Sequence, residues 1–117
     1  HGVRESQDLA YADLIQRELP HDEFLGDQVL RQLIYIPVVT REAFATRGRL
    51  PDLIADGSLA RKARLPAMDP TVDRAMICGS PAMLRDTRAA LDRLGFMSSA
   101  GLGQPGGYVI ERAFVER

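Results

Sequence analysis

Residues 75–84 read AMICGSPAML, a stretch that contains a short apolar run, a turn and the opening of a helix. The apolar run 75–78 is typical of a buried strand. Gly79 predicts a tight turn, and Ser80 with Pro81 predicts a helix start, because serine caps the first backbone N–H groups and proline fits the first turn. The stretch therefore predicts one strand–turn–helix unit.

The helix of this unit is predicted to run to Leu94, with Gly95 as its C-cap. Its apolar face follows helical spacing and consists of Met83, Leu84, Thr87, Leu91 and Leu94. A Gly-rich loop over 98–107 leads into a last strand, YVIERA, at 108–113. The later part of the chain thus predicts the order strand, helix, strand.

Earlier segments show the same alternation. The start of the chain resembles a strand end, and a helix that Ser6 caps and Pro20 closes follows it. LIYIPVV at 33–39 predicts a buried strand, with Pro37 at an edge or bulge because proline lacks the ladder N–H. A further helix is predicted over Leu50–Asp56. The whole order indicates an α/β fold with a parallel sheet in one domain.

Composition excludes several classes of protein. The 117 residues are 45% hydrophobic and 26% charged, as in globular domains and not in disordered chains. Fifteen basic and sixteen acidic residues give a net charge of -1, which argues against a surface for nucleic acid or anionic lipid. No apolar run reaches the roughly 20 residues of a membrane span. A single cysteine, Cys78, excludes an internal disulfide and predicts a reducing, cytoplasmic setting.

An arginine-rich group follows the predicted strand 33–39 directly. It consists of Thr40, Arg41, Arg47 and Arg49. Ligands of open α/β sheets bind beyond the carboxyl ends of strands, and guanidinium groups there would hold a phosphate and distinguish a phosphorylated ribose from a plain one. The alternative, which spacing alone favours, is a solvated loop paired with Glu42 and Asp52.

The turn from Cys78 to Pro81 is the second candidate. Its glycine lets a ligand approach the backbone, and a helix N-terminus favours anions and lowers the pKa of a thiol. The alternative, favoured by residue type alone, is a small buried cysteine before an ordinary turn. The ending ERAFVER at 111–117 holds an aromatic residue that either anchors the chain end or covers a planar cofactor. His1 and His21 have no partner at metal-ligand spacing, so we predict no metal site.

Five blocks, in order from end to end, resemble the C-terminal NADP(H)-binding part of bacterial ferredoxin (flavodoxin)–NADP reductases. They are HGVR with DLAY (1–4, 8–11), IPVVTRE (36–42), GRLPDLI with GSL (48–54, 57–59), MICGSPAML (76–84) and YVIERAFVE (108–116). The ordered set is more specific than any one block, so the resemblance favours the functional interpretation of both groups. It implies an FAD-binding β-barrel followed by a parallel five-stranded nucleotide-binding domain.

For the arginine group, the resemblance implies that Arg41 and Arg49 hold the 2′-phosphate of NADP(H), with Thr40 beside them. Arg4 would lie along the adenosine half of the dinucleotide, and Arg47 is a weaker candidate. These assignments make the group the cofactor-binding site for the phosphorylated ribose.

For the turn, the resemblance implies that Cys78 and Gly79 lie near the nicotinamide at the point of hydride transfer. Ser80 and Pro81 complete this cofactor-binding turn, and Glu111 is a candidate proton-relay carboxylate. By the same resemblance, the pair Ala113 and Phe114 would pack near the flavin ring of FAD.

The quoted blocks do not include the FAD-binding domain of the family, or the first strand of its nucleotide domain with the Gly-Thr-Gly loop. Because that strand is central to the family sheet, we expect residues 1–117 alone to fold poorly and to transfer no hydride. A start at His1 in place of methionine agrees with a later part of a longer polypeptide.

The sequence therefore predicts a segment of a bacterial flavoprotein oxidoreductase that passes electrons between NADPH and ferredoxin or flavodoxin through FAD. Two other classes stay open. One is a stand-alone nucleotide- or phosphate-binding module without redox activity, and the other is an interaction domain whose arginine loop meets an acidic partner.

Overall fold

The computed structural model describes residues 1–101 and 103–112, and the chain divides into two compact units, His1–Arg49 and Leu50–Arg117. The first unit is built on two short parallel strands. β1 (Gly2–Val3) pairs with β2 (Val38–Val39), with Gly2 opposite Val38 and Val3 opposite Val39. Both valines of β2 are fully buried, and because neighbouring strand residues point to opposite faces, β2 is covered on both sides.

The strand predicted at 33–39 is wrong for its first five residues, since only Val38 and Val39 of this run join a ladder. Pro37 has no N–H to donate, so it contributes no donor to a ladder. Leu33 and Ile34 are 49% and 51% exposed, so little packing holds them in an extended run.

Short helical turns connect the two strands of the first unit. They are a 3₁₀ turn over Ser6–Asp8, a π-helical turn over Leu14–Glu18, a second 3₁₀ turn over Leu19–His21, and α1 over Gly26–Gln32. The helix predicted from Ser6 to Pro20 is confirmed only in its later part, where residues 12–21 are helical, and residues 9–11 interrupt it. Ser6 lies inside the first 3₁₀ turn instead of capping a helix. No residue of the first three turns is buried, and a short helix without a buried face gains little stability from packing.

The second unit alternates helices with a second parallel strand pair. Its elements are α2 (Leu50–Ala55), α3 (Ser58–Lys62), β3 (Ala75–Cys78), α4 (Pro81–Arg93) and β4 (Tyr108–Glu111). β3 pairs in parallel with β4 from Ala75–Tyr108 to Cys78–Glu111. Parallel strands that alternate with helices confirm the predicted α/β fold.

Glycines end helices where the sequence predicts it. Gly57 follows α2 with φ 78°, and Gly95 follows α4 with φ 92°. Both angles are left-handed, a conformation that glycine adopts without steric cost. The short helix α3, which begins directly after Gly57, is not predicted by the sequence.

The core of the second unit lies between α4 and the strand pair. Leu91, Phe96 and Tyr108 are at most 3% exposed. They pack against Ile54, Met68, Ala75, Ile77, Leu94 and Ile110. Side chains alternate along a strand, and Ala75 and Ile77 of β3 face the core. The other two residues of β3, Met76 and Cys78, therefore lie on the opposite, exposed face. The packing of α4 thus decides which face of β3 is open.

Candidate functional site

The carboxyl ends of β1 and β2 bring two arginines together in the first unit. The N–H of Thr40 donates to the carbonyl of Val3 at 3.1 Å, and the N–H of Arg41 donates to the carbonyl of Arg4 at 2.9 Å. The parallel pairing thus continues through the backbone to Arg4 and Arg41, whose side chains are exposed. Within the part of the chain that the structure describes, neither guanidinium group has a hydrogen-bond or ion-pair acceptor.

The loop after β2 folds back onto its own strand. The N–H of Gly48 donates to the carbonyl of Val39 at 3.1 Å, and Arg47 lies beside Val39 in a parallel bridge. The Nε of Arg47 donates to the carbonyl of Thr40 at 3.5 Å, so this side chain also braces the loop. Arg47 and Arg49 are exposed. The structure therefore gathers the arginine group, which the sequence analysis defined, on one closed loop.

The carboxylate of Glu42, expected by one interpretation to neutralise this loop, has a different partner. Glu42 Oε1 accepts a hydrogen bond from the backbone N–H of Ser6 at 2.6 Å. Hydrogen bonds from the Ser6 hydroxyl and from its N–H lower the pKa of the Glu42 carboxyl. Among the described residues, no ion pair joins Glu42 to Arg41. The exposed cations of the strand ends and loop form a surface suited to an anion such as phosphate.

In the second unit, Cys78 and Glu111 lie opposite each other at the carboxyl ends of β3 and β4. Both residues are exposed, because they occupy the strand face that α4 leaves open. The interpretation of Cys78 as a small buried residue is therefore wrong. A thiol and a carboxylate on adjacent strand ends form a polar edge that a ligand can reach.

The turn after β3 has the geometry that the sequence predicts. The Ser80 hydroxyl accepts the N–H of Met83 at 3.3 Å, and Pro81 occupies the first position of α4. A Cβ atom added to Gly79 would lie 2.9 Å from Cγ of Met83, so a larger residue would force the Met83 side chain in the first turn of α4 to move. Glycine and serine thus fix where α4 begins relative to Cys78.

Replacing Ser80 with alanine is expected to lower the free energy of unfolding by about 0.5–2 kcal/mol, because the N–H of Met83 loses its capping acceptor. Urea unfolding of the full natural polypeptide, with serine or with alanine at position 80, measures the difference in the free energy of unfolding. Ser98→Ala is the matched control, since Ser98 is exposed and lies outside every helix. Equal losses in the two variants would contradict a capping role.

A cleft of about 510 Å³ adjoins the Cys78–Glu111 edge. Met76 and Val109, from the open face of β3 and β4, supply apolar lining, and Gln104 adds an amide from the loop before β4. The volume is within the range of small-molecule sites, which combine apolar walls with a few polar groups. The cleft therefore offers a place for a ligand group beside the thiol and the carboxylate.

The side chain of His21 makes a local backbone contact, since its Nδ1 lies 2.8 Å from the carbonyl oxygen of Arg17. The main-chain nitrogen of His1 donates to the carbonyl of Ile36 at 3.1 Å. Residues 1–101 and 103–112 contain no group of three or more His, Cys, Asp or Glu side chains arranged to hold a metal. Over the same ranges, no helix has the length and apolar character needed to cross a membrane.

Two predicted site residues have no described position, and one contact near the arginine group was not predicted. Ala113 and Phe114 lie outside the described residues. The contact between Ser6 and Glu42 is absent from the sequence-based predictions, because the two residues are 36 positions apart and no local pattern links them. The structure adds this contact to the arginine group.

The chain is similar to known reductases over its whole length. The ferredoxin–NADP reductase of Pseudomonas aeruginosa is 55% identical over 117 residues, and that of Azotobacter vinelandii is 50% identical over 117 residues. Each match covers 100% of this chain and 45% of the relative. No family model matches the chain.

A solved structure shows the same fold. The crystal structure of a ferredoxin NADP+ reductase from Neisseria gonorrhoeae with bound FAD and NADP superposes with a TM-score of 0.77 and 26% identity. The match covers 97% of this chain and 43% of that protein. This chain therefore belongs to the ferredoxin–NADP reductases, as a segment that spans less than half the length of the relatives it matches.

Proposed function

We propose that the chain is the NADP(H)-binding segment of an FAD-dependent reductase that exchanges electrons with ferredoxin or flavodoxin. The observation that carries the proposal is the set of exposed arginines at the carboxyl ends of β1 and β2, two of which have no acceptor within the described residues. The named relatives and the solved structure with bound FAD and NADP support it. The proposal includes the reductase activity of the complete protein, its cytoplasmic location and its protein partners.

The arginine group would bind the phosphorylated ribose. Arg41 and Arg49 would hold the 2′-phosphate, because planar guanidinium groups match its oxygens in pairs. Thr40 adds a hydroxyl, and Arg4 lies next to Arg41 through their backbone hydrogen bond at 2.9 Å, in a place suited to the adenosine half. Arg47 contributes charge and holds the Thr40 carbonyl.

The Cys78–Pro81 turn would receive the nicotinamide end of the cofactor. When bound, NADPH would supply a hydride to FAD, and the two electrons of that hydride would leave the flavin one at a time while its proton is released. The residues of this chain would orient the nicotinamide ring. Cys78 and Gly79 would lie beside the ring, and Ser80 determines where α4 begins. Glu111, opposite Cys78 in the strand register, would hold or move a proton at its carboxylate.

A calorimetric titration of the full natural polypeptide that contains this chain with 2′-phospho-AMP and, separately, with AMP tests the proposal. Binding of 2′-phospho-AMP that is at least about tenfold tighter is the expected result, since one charge-assisted contact is worth more than 1.4 kcal/mol. Equal affinity for both ligands, or no binding of either, would overturn the assignment of the arginine group.

The visible absorption spectrum of the same sample separates a reductase from a phosphate-binding module. Flavin bands, bleached by NADPH under anaerobic conditions, are expected for the reductase. A folded protein that prefers 2′-phospho-AMP but contains no flavin and binds none on addition of FAD would support the stand-alone module.

A further inference from the structure

Two hydrogen bonds join the chain just beyond β1 to the chain just beyond β2. The N–H of Arg41 donates to the carbonyl of Arg4 at 2.9 Å, and the next residue, Glu42, accepts the N–H of Ser6 at 2.6 Å. The second bond is charge-assisted, and its short distance is typical of the stronger class of hydrogen bonds. A carboxylate therefore ties the two arginine-bearing segments together.

This tie matters because of where it lies. Beyond β1 and β2 the backbone pairing continues as far as the bond between Arg41 and Arg4, and the Ser6–Glu42 bond lies next to that last backbone bond. Two cations on neighbouring segments repel each other before an anion binds. A bond between Ser6 and Glu42 opposes that separation without using either guanidinium group.

The same bond keeps the carboxylate of Glu42 away from its neighbour. A carboxylate adjacent in sequence to Arg41 would pair with the guanidinium group and compete with a bound phosphate if it had no other donor. Ser6 offers Glu42 a backbone N–H and a hydroxyl, and these hydrogen bonds keep the carboxyl ionised to lower pH by lowering its pKa. The guanidinium group of Arg41 is left without an acceptor in the described chain.

We infer that Glu42 is a positioning residue of the phosphate site, which acts through Ser6 to hold Arg4 and Arg41 in place and to leave Arg41 open to the anion. The inference rests on the proposed binding of the 2′-phosphate by the arginine group. It adds an acidic residue and a serine, neither of which touches the ligand, to the features that set the preference for a phosphorylated ribose.

Ser6→Pro is the sharpest variant, because it removes both donors and leaves the charge of Glu42 unchanged. Glu5 is extended and Ser6 opens a 3₁₀ turn, so proline suits this position. Calorimetry on the full natural polypeptide is expected to show 2′-phospho-AMP binding about tenfold weaker, with AMP binding changed less than about twofold. Glu42→Ala should also lower the ratio of the two affinities, and the double variant should be no worse than Ser6→Pro alone.

Glu5→Ala is the matched control for charge, since it removes a carboxylate next to Arg4 that is bonded to the Gln7 side chain. It should raise or preserve the affinity for 2′-phospho-AMP. Ser6→Ala keeps the backbone donor, so it should weaken 2′-phospho-AMP binding less than Ser6→Pro does. It replaces Ser6→Pro as the test if the proline variant unfolds. Circular dichroism shows whether each variant is folded.

An unchanged affinity ratio in folded Ser6→Pro and Glu42→Ala, beside a wild type that prefers 2′-phospho-AMP, would overturn the inference alone. Tighter binding in Glu42→Ala and in Glu5→Ala alike would also overturn it, because Glu42 would then act only by its charge. A wild type without any preference for 2′-phospho-AMP would overturn the proposed function together with this inference.

Discussion

Replacing Arg41 with alanine is expected to weaken the binding of NADPH roughly 10- to 150-fold while NADH binding changes little. The reason is that the guanidinium group would meet only the 2′-phosphate, which NADH lacks. One charge-assisted hydrogen bond is worth about 1.5–3 kcal/mol, and each 1.4 kcal/mol is a factor of ten in affinity. Arg49→Ala should show the same selectivity, and equilibrium titration of the full natural polypeptide with each nucleotide measures it.

Arg17→Ala is the matched control for this experiment. Arg17 is an exposed arginine of the same unit, paired with Asp13 at 3.5 Å and far along the chain from the strand ends. It should leave both affinities unchanged, because surface ion pairs of this kind contribute little. Equal losses of NADPH and NADH binding in Arg41→Ala would mean that Arg41 supports the fold or a shared part of the nucleotide, and not the 2′-phosphate.

Leu91→Ala is expected to lower the free energy of unfolding by about 2–5 kcal/mol, the range for a leucine removed from a close-packed core. Leu91 is 1% exposed and packs in one cluster with Phe96 and Tyr108. Its loss leaves a cavity between α4 and the strand pair that the neighbouring side chains fill incompletely. Denaturant unfolding, followed by circular dichroism, measures the change.

Leu65→Ala is the control, since Leu65 is 55% exposed and should change stability by less than about 0.5 kcal/mol. A small loss in Leu91→Ala would mean that the core of the second unit relaxes around the cavity. The open strand face bearing Cys78 would then not depend on tight packing of α4.

The sequence predicted the second unit more fully than the first, for a physical reason. Ser80, Pro81 and Gly95 act through their immediate neighbours, so the limits of α4 follow from local chemistry. The helix predicted between Ser6 and Pro20 and the long strand at 33–39 depended on burial that the structure does not provide. Local propensity alone does not stabilise a helix or strand that has no buried face to pack.

What the sequence by itself determined is the alternation of strands with helical segments, the helix start after Cys78 and the presence of arginines after a buried strand. What the tertiary structure decided is the contact set of each site: the Arg4–Arg41 backbone bond, the Ser6–Glu42 bond and the Cys78–Glu111 register. Each of these joins residues far apart in the chain. No local pattern specifies such pairs, because strand pairing and packing bring them together only when the chain has folded.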